Sequence, residues 1–267
     1  MIRLARTFLQ RDFLIATSYK LSFAFQMLRI AAVVPICFYL GRLVPDTSVG
    51  GLGPAGDNYF AFVLIGIGFL DYLAVSLHIF EQSLRESQLM GTLELVLLSP
   101  TRLSSILLCS SLWVYLLATI RFVLYLVVGA LFGLELGQAN LPAAMLILFL
   151  SIFGFAGFGI LSASVTVVVK RGLGLNAIMS MLSLVCGGVL FPTRALPEWV
   201  SGVSAFIPMT HALEGMRLAL FRNYGIADLW PQIAMLGIFA VALLPLGLFS
   251  FNRAVHRTKM TGTLSQY

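Results

Sequence analysis

Asn58 to Phe80 reads NYFAFVLIGIGFLDYLAVSLHIF, a run of 23 residues interrupted by a single charge, Asp71. A helix needs about 20 mainly apolar residues to cross the hydrocarbon core of a bilayer. A carboxylate near the middle of such a helix costs about 2.5 to 3.5 kcal/mol on the insertion scale, and the 13 Leu, Ile, Val and Phe residues of this run contribute about 4 to 8 kcal/mol in the opposite direction. The run therefore predicts a membrane span that tolerates its aspartate. The composition of the whole chain agrees: 59% of its 267 residues are hydrophobic and 10% charged, too few charges for the surface of a water-soluble globule. Soluble enzymes, nucleic-acid modules and secreted disulfide scaffolds are excluded on that ground.

Outward from this run, five more stretches have the length and apolarity of spans: 21–40, 103–132, 141–169, 172–192 and 229–251. Six spans put both termini on one side of the membrane. The 17 Lys and Arg support that topology, with 11 on the predicted inside (Arg85 and Arg102, Lys170 and Arg171, and the two termini), four outside (Arg42, Arg194, Arg217, Arg222) and two within spans, Arg29 and Arg121. This is the positive-inside pattern, so both termini are expected in the cytoplasm. The basic residues are scattered instead of forming one stripe, which argues against a nucleic-acid partner. The apolar stretch after the basic N-terminus is too long for a signal-peptide core and has no small-x-small cleavage site, so the segment is expected to be retained. Cys37, Cys109 and Cys186 lie inside apolar runs without CxxC spacing and read as buried thiols, with no metal site.

Residues 1–20 place Ile2, Ala5, Leu9, Phe13 and Ala16 at helical spacing, with Arg3, Arg6, Thr7, Gln10 and Thr17 opposite. Such a helix lies along the headgroup boundary with its cations on anionic lipid; a basic flank that only sets orientation is the other reading. The loop 81–103 carries helix punctuation. Gly91 can end the helix extending from the second span, Thr92 can cap a short new one with Glu94 in its first turn, and Ser99-Pro100 suits the start of the third span. Leu93, Val96 and Leu97 then form an apolar knob below the membrane, suited either to a groove on another protein or to the lipid interface.

The segment 193–224 contains Pro197, Trp199, Pro208, Glu214 and Arg217. Its helical pieces, about 197–206 and 210–222, are too short to span. They suit a re-entrant hairpin dipping into the outer leaflet, or helices lying flat on it. Pro197 fits a first helical position, Thr210 a cap and Trp199 an interfacial anchor. Within the membrane, Asp71 is expected to pair with Arg121 or Arg29, to line a substrate route, or to carry protons. His78, two turns on, either extends a polar track or marks the end of the span. Gly159 and Ala163 form a small-xxx-small pair for close helix packing. Phe25, Met27, Phe62, Phe69, Met179 and Met181 are candidates for an apolar wall toward a lipid-like cargo.

Chemical motifs for catalysis are missing from the sequence: no HExxH or GxSxG occurs, and no lysine follows a glycine as a P-loop requires. Glu198, His211, Glu214 and Arg217 are the residues that a membrane enzyme acting on lipid would use.

Taken together, the basic amphipathic N-terminal helix, the six spans, Met90-Gly91-Thr92-Leu93-Glu94 through Ser99-Pro100, and Phe191-Pro192 with Leu196-Pro197-Glu198-Trp199 and Pro208 resemble a permease subunit of the type 2 ABC exporter family, whose members export polysaccharides, lipo-oligosaccharides, lipids and drugs. The resemblance covers nearly the whole chain. It implies an all-α integral membrane protein of the inner (cytoplasmic) membrane. Its parts would be an interfacial helix (1–20), a six-helix transmembrane domain (21–251) with a coupling helix and a re-entrant hairpin before the last span, and a cytoplasmic tail (252–267). It implies that Glu86, Gly91, Thr92, Leu93, Glu94 and Pro100 dock on a separate ATP-binding-cassette ATPase, which holds ATP and Mg, so that this chain is not itself an enzyme. Pro192, Pro197, Trp199, Pro208, Glu214 and Arg217 would sit at the exit of a cavity formed with a second permease copy, identical or a paralogue. An amphipathic, lipid-linked, glycolipid or polysaccharide cargo is expected. The contrasting expectation from another class is a secondary transporter or channel that uses Asp71 and Arg121.

Overall fold

The computed structural model describes residues 2–18, 20–43, 58–89, 103–169 and 175–260. Every regular element among them is helical: α1 (Ile2–Ser18), α2 (Lys20–Leu43), α3 (Tyr59–Leu89), α4 (Leu103–Leu131), α5 (Leu141–Val169), α6 (Leu175–Cys186), a 3-10 turn (Thr193–Ala195), α7 (Glu198–Ser204), α8 (Pro208–Phe221) and α9 (Trp230–Met260). Five of these, α2, α3, α4, α5 and α9, are long and apolar enough to cross a membrane.

Of the stretch expected as a fifth span, 172–192, residues 172–174 lie outside the described residues, and the described helix α6 covers 12 residues, about 18 Å at 1.5 Å per residue. The helix stops because Gly187 and Gly188 follow it. Gly188 takes a φ of +77°, a left-handed conformation that glycine adopts without a Cβ penalty, and the chain turns back toward α7. The last helix departs in the other direction. It continues past 251 to Met260 and buries Phe251, Ala254 and Val255, so residues 252–260 of the expected tail are helical.

α3 lies at the centre. Phe69, Tyr72, Leu73 and Leu77 of α3 pack with Phe122 of α4, Phe155 and Ile160 of α5, Leu213 and Met216 of α8 and Phe251 of α9 in one continuous core. A second cluster joins Ile30, Val34 and Cys37 of α2 to Phe60 and Leu64 of α3. Side chains turned away from these cores are apolar as well, among them Phe25, Leu28 and Ile36 on α2, Leu116, Val123 and Val127 on α4, and Val241 and Phe249 on α9. Lipid solvates such faces while the helices satisfy their own backbone.

α5 is held between α3 and α9 by backbone contact. A Cβ on Gly159 would collide with the Ser76 carbonyl oxygen of α3, and one on Gly157 would lie 2.7 Å from the backbone of Leu243 and Leu244 in α9. Small residues allow this approach, and in lipid close packing is a principal source of helix association. α1 packs beside α4, with the Phe13 ring edge-on to Trp113 at 5.7 Å.

The first hairpin helix begins one residue later, and the second begins earlier, than the sequence punctuation indicates. Pro197 is the cap of α7 and not its first helical residue. Pro208 takes the first position of α8 with Ile207 as the cap, so Thr210 lies inside the helix. Proline's fixed φ and missing N–H make the first position its natural place, and the Thr210 N–H is met by the Ile207 carbonyl.

Candidate functional site

Three helices converge on Asp71. Its Oδ1 accepts from Arg29 Nη2 of α2 at 2.7 Å and its Oδ2 from Arg121 Nε of α4 at 2.8 Å. Arg121 Nη1 also donates to Gln26 Oε1 at 3.1 Å. Gln26 and Arg29 are three residues apart, and so share a face of α2. The side chains of Asp71 and Arg121 are 14% and 10% exposed, whereas that of Arg29 is 52% exposed. The group thus sits with one guanidinium enclosed and the other at the protein's edge. It carries two positive charges and one negative.

Below it, α3 and α4 are stitched by hydroxyls. Tyr72 Oη donates to Thr119 Oγ1 at 2.6 Å, Thr119 to the Tyr115 carbonyl, Tyr115 Oη to Ser76 Oγ at 2.9 Å, and Ser76 to the Tyr72 carbonyl. The circuit is closed, each hydroxyl proton being used within it. A turn further on, Asn176 of α6 donates to Glu81 Oε2 at 2.7 Å and to the Leu77 carbonyl at 3.1 Å, lies 3.3 Å from His78 Nδ1, and accepts from Ser162 Oγ of α5 at 2.5 Å. One amide therefore joins three helices at the root of the 81–103 loop.

At the opposite end of α3, Arg217 is buried, 4% exposed. It donates to the carbonyls of Gly188 and Phe62, each at 2.9 Å, and of Val189 at 3.4 Å, and stacks 3.4 Å above the Phe62 ring. Burial pulls its pKa below the ordinary arginine value, with the Glu214 charge acting the other way. A cation bonded to carbonyls pins the turn after α6 to α3 and α8. Ser204 Oγ, donating to the Cys186 carbonyl, ties in α7.

A family model described as ABC-2 family transporter protein matches residues 54–249, from just before α3 to the middle of α9. The chain belongs to the ABC-2 transporter family. No individual curated protein matches it. The permease is accordingly a multi-pass membrane transport subunit, of a family whose permeases normally pair with an ATP-binding subunit.

Of the residues singled out by sequence in the permease, Asp71, Arg29 and Arg121 form one cluster. Glu86 lies in the last turns of α3, and Gly91, Thr92, Leu93, Glu94 and Pro100 fall outside the described residues. Around the hairpin, Pro192, Pro208 and Arg217 are buried, Glu214 is half-buried, and Pro197 and Trp199 are exposed. Of Glu198, His211, Glu214 and Arg217, Arg217 is engaged with carbonyls and His211 Nε2 lies 2.9 Å from the Ala205 carbonyl oxygen. The apolar wall divides, because Phe62 and Phe69 are core residues while Phe25 and Met181 remain exposed. The three cysteines are buried and free. Sequence reasoning missed Gln26 and Asn176; the signal for each was a lone amide in an apolar run.

Proposed function

We propose that the chain is the membrane-spanning half of an ATP-binding-cassette exporter, driven by a separate ATPase that docks on the 81–103 loop. The family match over residues 54–249 carries this reading. In it, Leu93, Val96 and Leu97 on the inner side enter a groove of the ATPase, with Glu94 and Glu86 beside them, and ATP and Mg stay on that partner. Two permease copies enclose the pathway. Closure of the ATPases moves the docked loops, and the helices respond as rigid bodies between inward- and outward-open arrangements. The Asn176 network supports this transmission, because Glu81 at the root of the loop is bonded to a residue that also holds α5. A push on the loop then reaches α5 and α6 through hydrogen bonds, without a deformable link.

The cargo in this reading is amphipathic, a lipid-linked or glycolipid chain, since the exposed faces of α2 and α6 offer Phe25, Leu28, Ile178 and Met181 as a surface for an acyl or polyprenyl tail. Both termini lie in the cytoplasm and the α7–α8 hairpin dips into the outer leaflet. The test is Glu94→Ala in the permease–ATPase complex reconstituted in vesicles. The expected result is weakened ATPase association and at least about a tenfold loss of ATP-driven transport, as for loss of one charge-assisted bond. Unchanged association and transport, or transport down an ion gradient with no ATPase present, would contradict the proposal.

A further inference from the structure

The six apolar runs contain one acidic residue, Asp71, and two basic ones, Arg29 and Arg121. The structure gathers all three, so among the described residues the cluster carries one uncompensated positive charge. That excess is at Arg29. Arg121 is enclosed and held by both Asp71 and Gln26, whereas half of the Arg29 side chain opens outward from the protomer. Its head is not free to snorkel to the interface, because its Nη2 is held 2.7 Å from Asp71, which lies midway along the Tyr59–Gln82 span. A half-exposed guanidinium at that depth is costly against hydrocarbon. A second copy of the chain would bring the same excess cation and would leave the imbalance unsolved. An anion resolves it. The neighbouring exposed surface of α2 is apolar, formed by Phe25, Leu28 and Ile36, so the complementary molecule has an anionic group joined to a hydrophobic chain.

We propose that Arg29, positioned by Asp71, binds the phosphate or carboxylate of a membrane-embedded amphiphile, and that this group is the recognition element of the cargo. The proposal rests on the exporter reading for the word cargo, but the binding site does not depend on ATP or on the ATPase.

The experiment is equilibrium binding of farnesyl phosphate and of farnesol to the full-length permease in phosphatidylcholine nanodiscs, corrected for uptake by empty discs. Wild-type protein is expected to prefer farnesyl phosphate by about tenfold or more, the scale of a charge-assisted hydrogen bond. Arg29→Gln is expected to abolish that preference and Arg29→Lys to keep most of it. Equal binding of the two probes by wild-type protein, a comparison that needs no variant to fold, would overturn the proposal; so would an undiminished preference in folded Arg29→Gln. Competition with phosphatidate identifies the source of the anion: displacement supports the site with a bilayer phospholipid as occupant, and resistance supports it with a prenyl-linked cargo. Anion binding that persists while Glu94→Ala leaves transport intact would sink the coupling reading alone.

Discussion

Removing the Asp71 carboxylate leaves Arg29 and Arg121, both held on that one side chain, without their shared counter-charge. Breaking a buried ion pair from one side costs about 3 to 5 kcal/mol, and the half-exposure of Arg29 places the expected loss at the lower end. Asp71→Asn should therefore lower the thermal stability of the purified permease, with the loss measured as a fall in Tm in detergent. An unchanged Tm combined with loss of proton-coupled uptake would make Asp71 a carrier of protons and would favour the secondary-transporter reading. The charges themselves were legible in the sequence, since intramembrane ionisable residues are few and seek one another. The three-way arrangement was not. It depends on α2 and α4 both flanking α3, a tertiary fact that no local periodicity encodes, and Gln26 looks like any polar residue near the start of a span until Arg121 is seen beside it.

Between helices, backbone contact at glycine is the controlling feature. Gly159→Ala in α5 should separate that helix from α3, because the new methyl meets the Ser76 carbonyl, a rigid backbone atom. Overpacking of this kind costs about 1 to 3 kcal/mol. Gly202→Ala in α7 is the matched control, since a Cβ there meets nothing within 4 Å and helix propensity favours alanine. Thermal denaturation of the two variants should show a clear loss for the first and little change for the second; equal behaviour would remove the packing account. The small-xxx-small spacing of Gly159 and Ala163 indicated which face of α5 packs, though not that Gly157 meets α9 on another face. Proline punctuation located both hairpin helices, while Thr210 misled because a proline at the first position starts a helix without a side-chain cap. Apolarity placed a span at 172–192; Gly187 with Gly188 ends α6 at Cys186, and the residues just before Leu175 lie outside the described structure.

For the molecule as a whole, the sequence announced a helical membrane protein through composition alone, and the family match establishes an ABC-2 permease. In the proposed reading a separate ATPase supplies the energy, so the account turns on the loop between α3 and α4. Its residues 90–102 lie outside the described structure, and the loop therefore has to be probed directly. The most direct measurement is photocrosslinking from a benzoylphenylalanine introduced at Leu93, in membranes containing the permease and the ATP-binding-cassette protein of its complex, with and without ATP. The account predicts a covalent adduct between position 93 and the ATPase, formed from the cytoplasmic side. Crosslinks to lipid alone in an actively transporting complex, or labelling of position 93 from outside the cell, would contradict it.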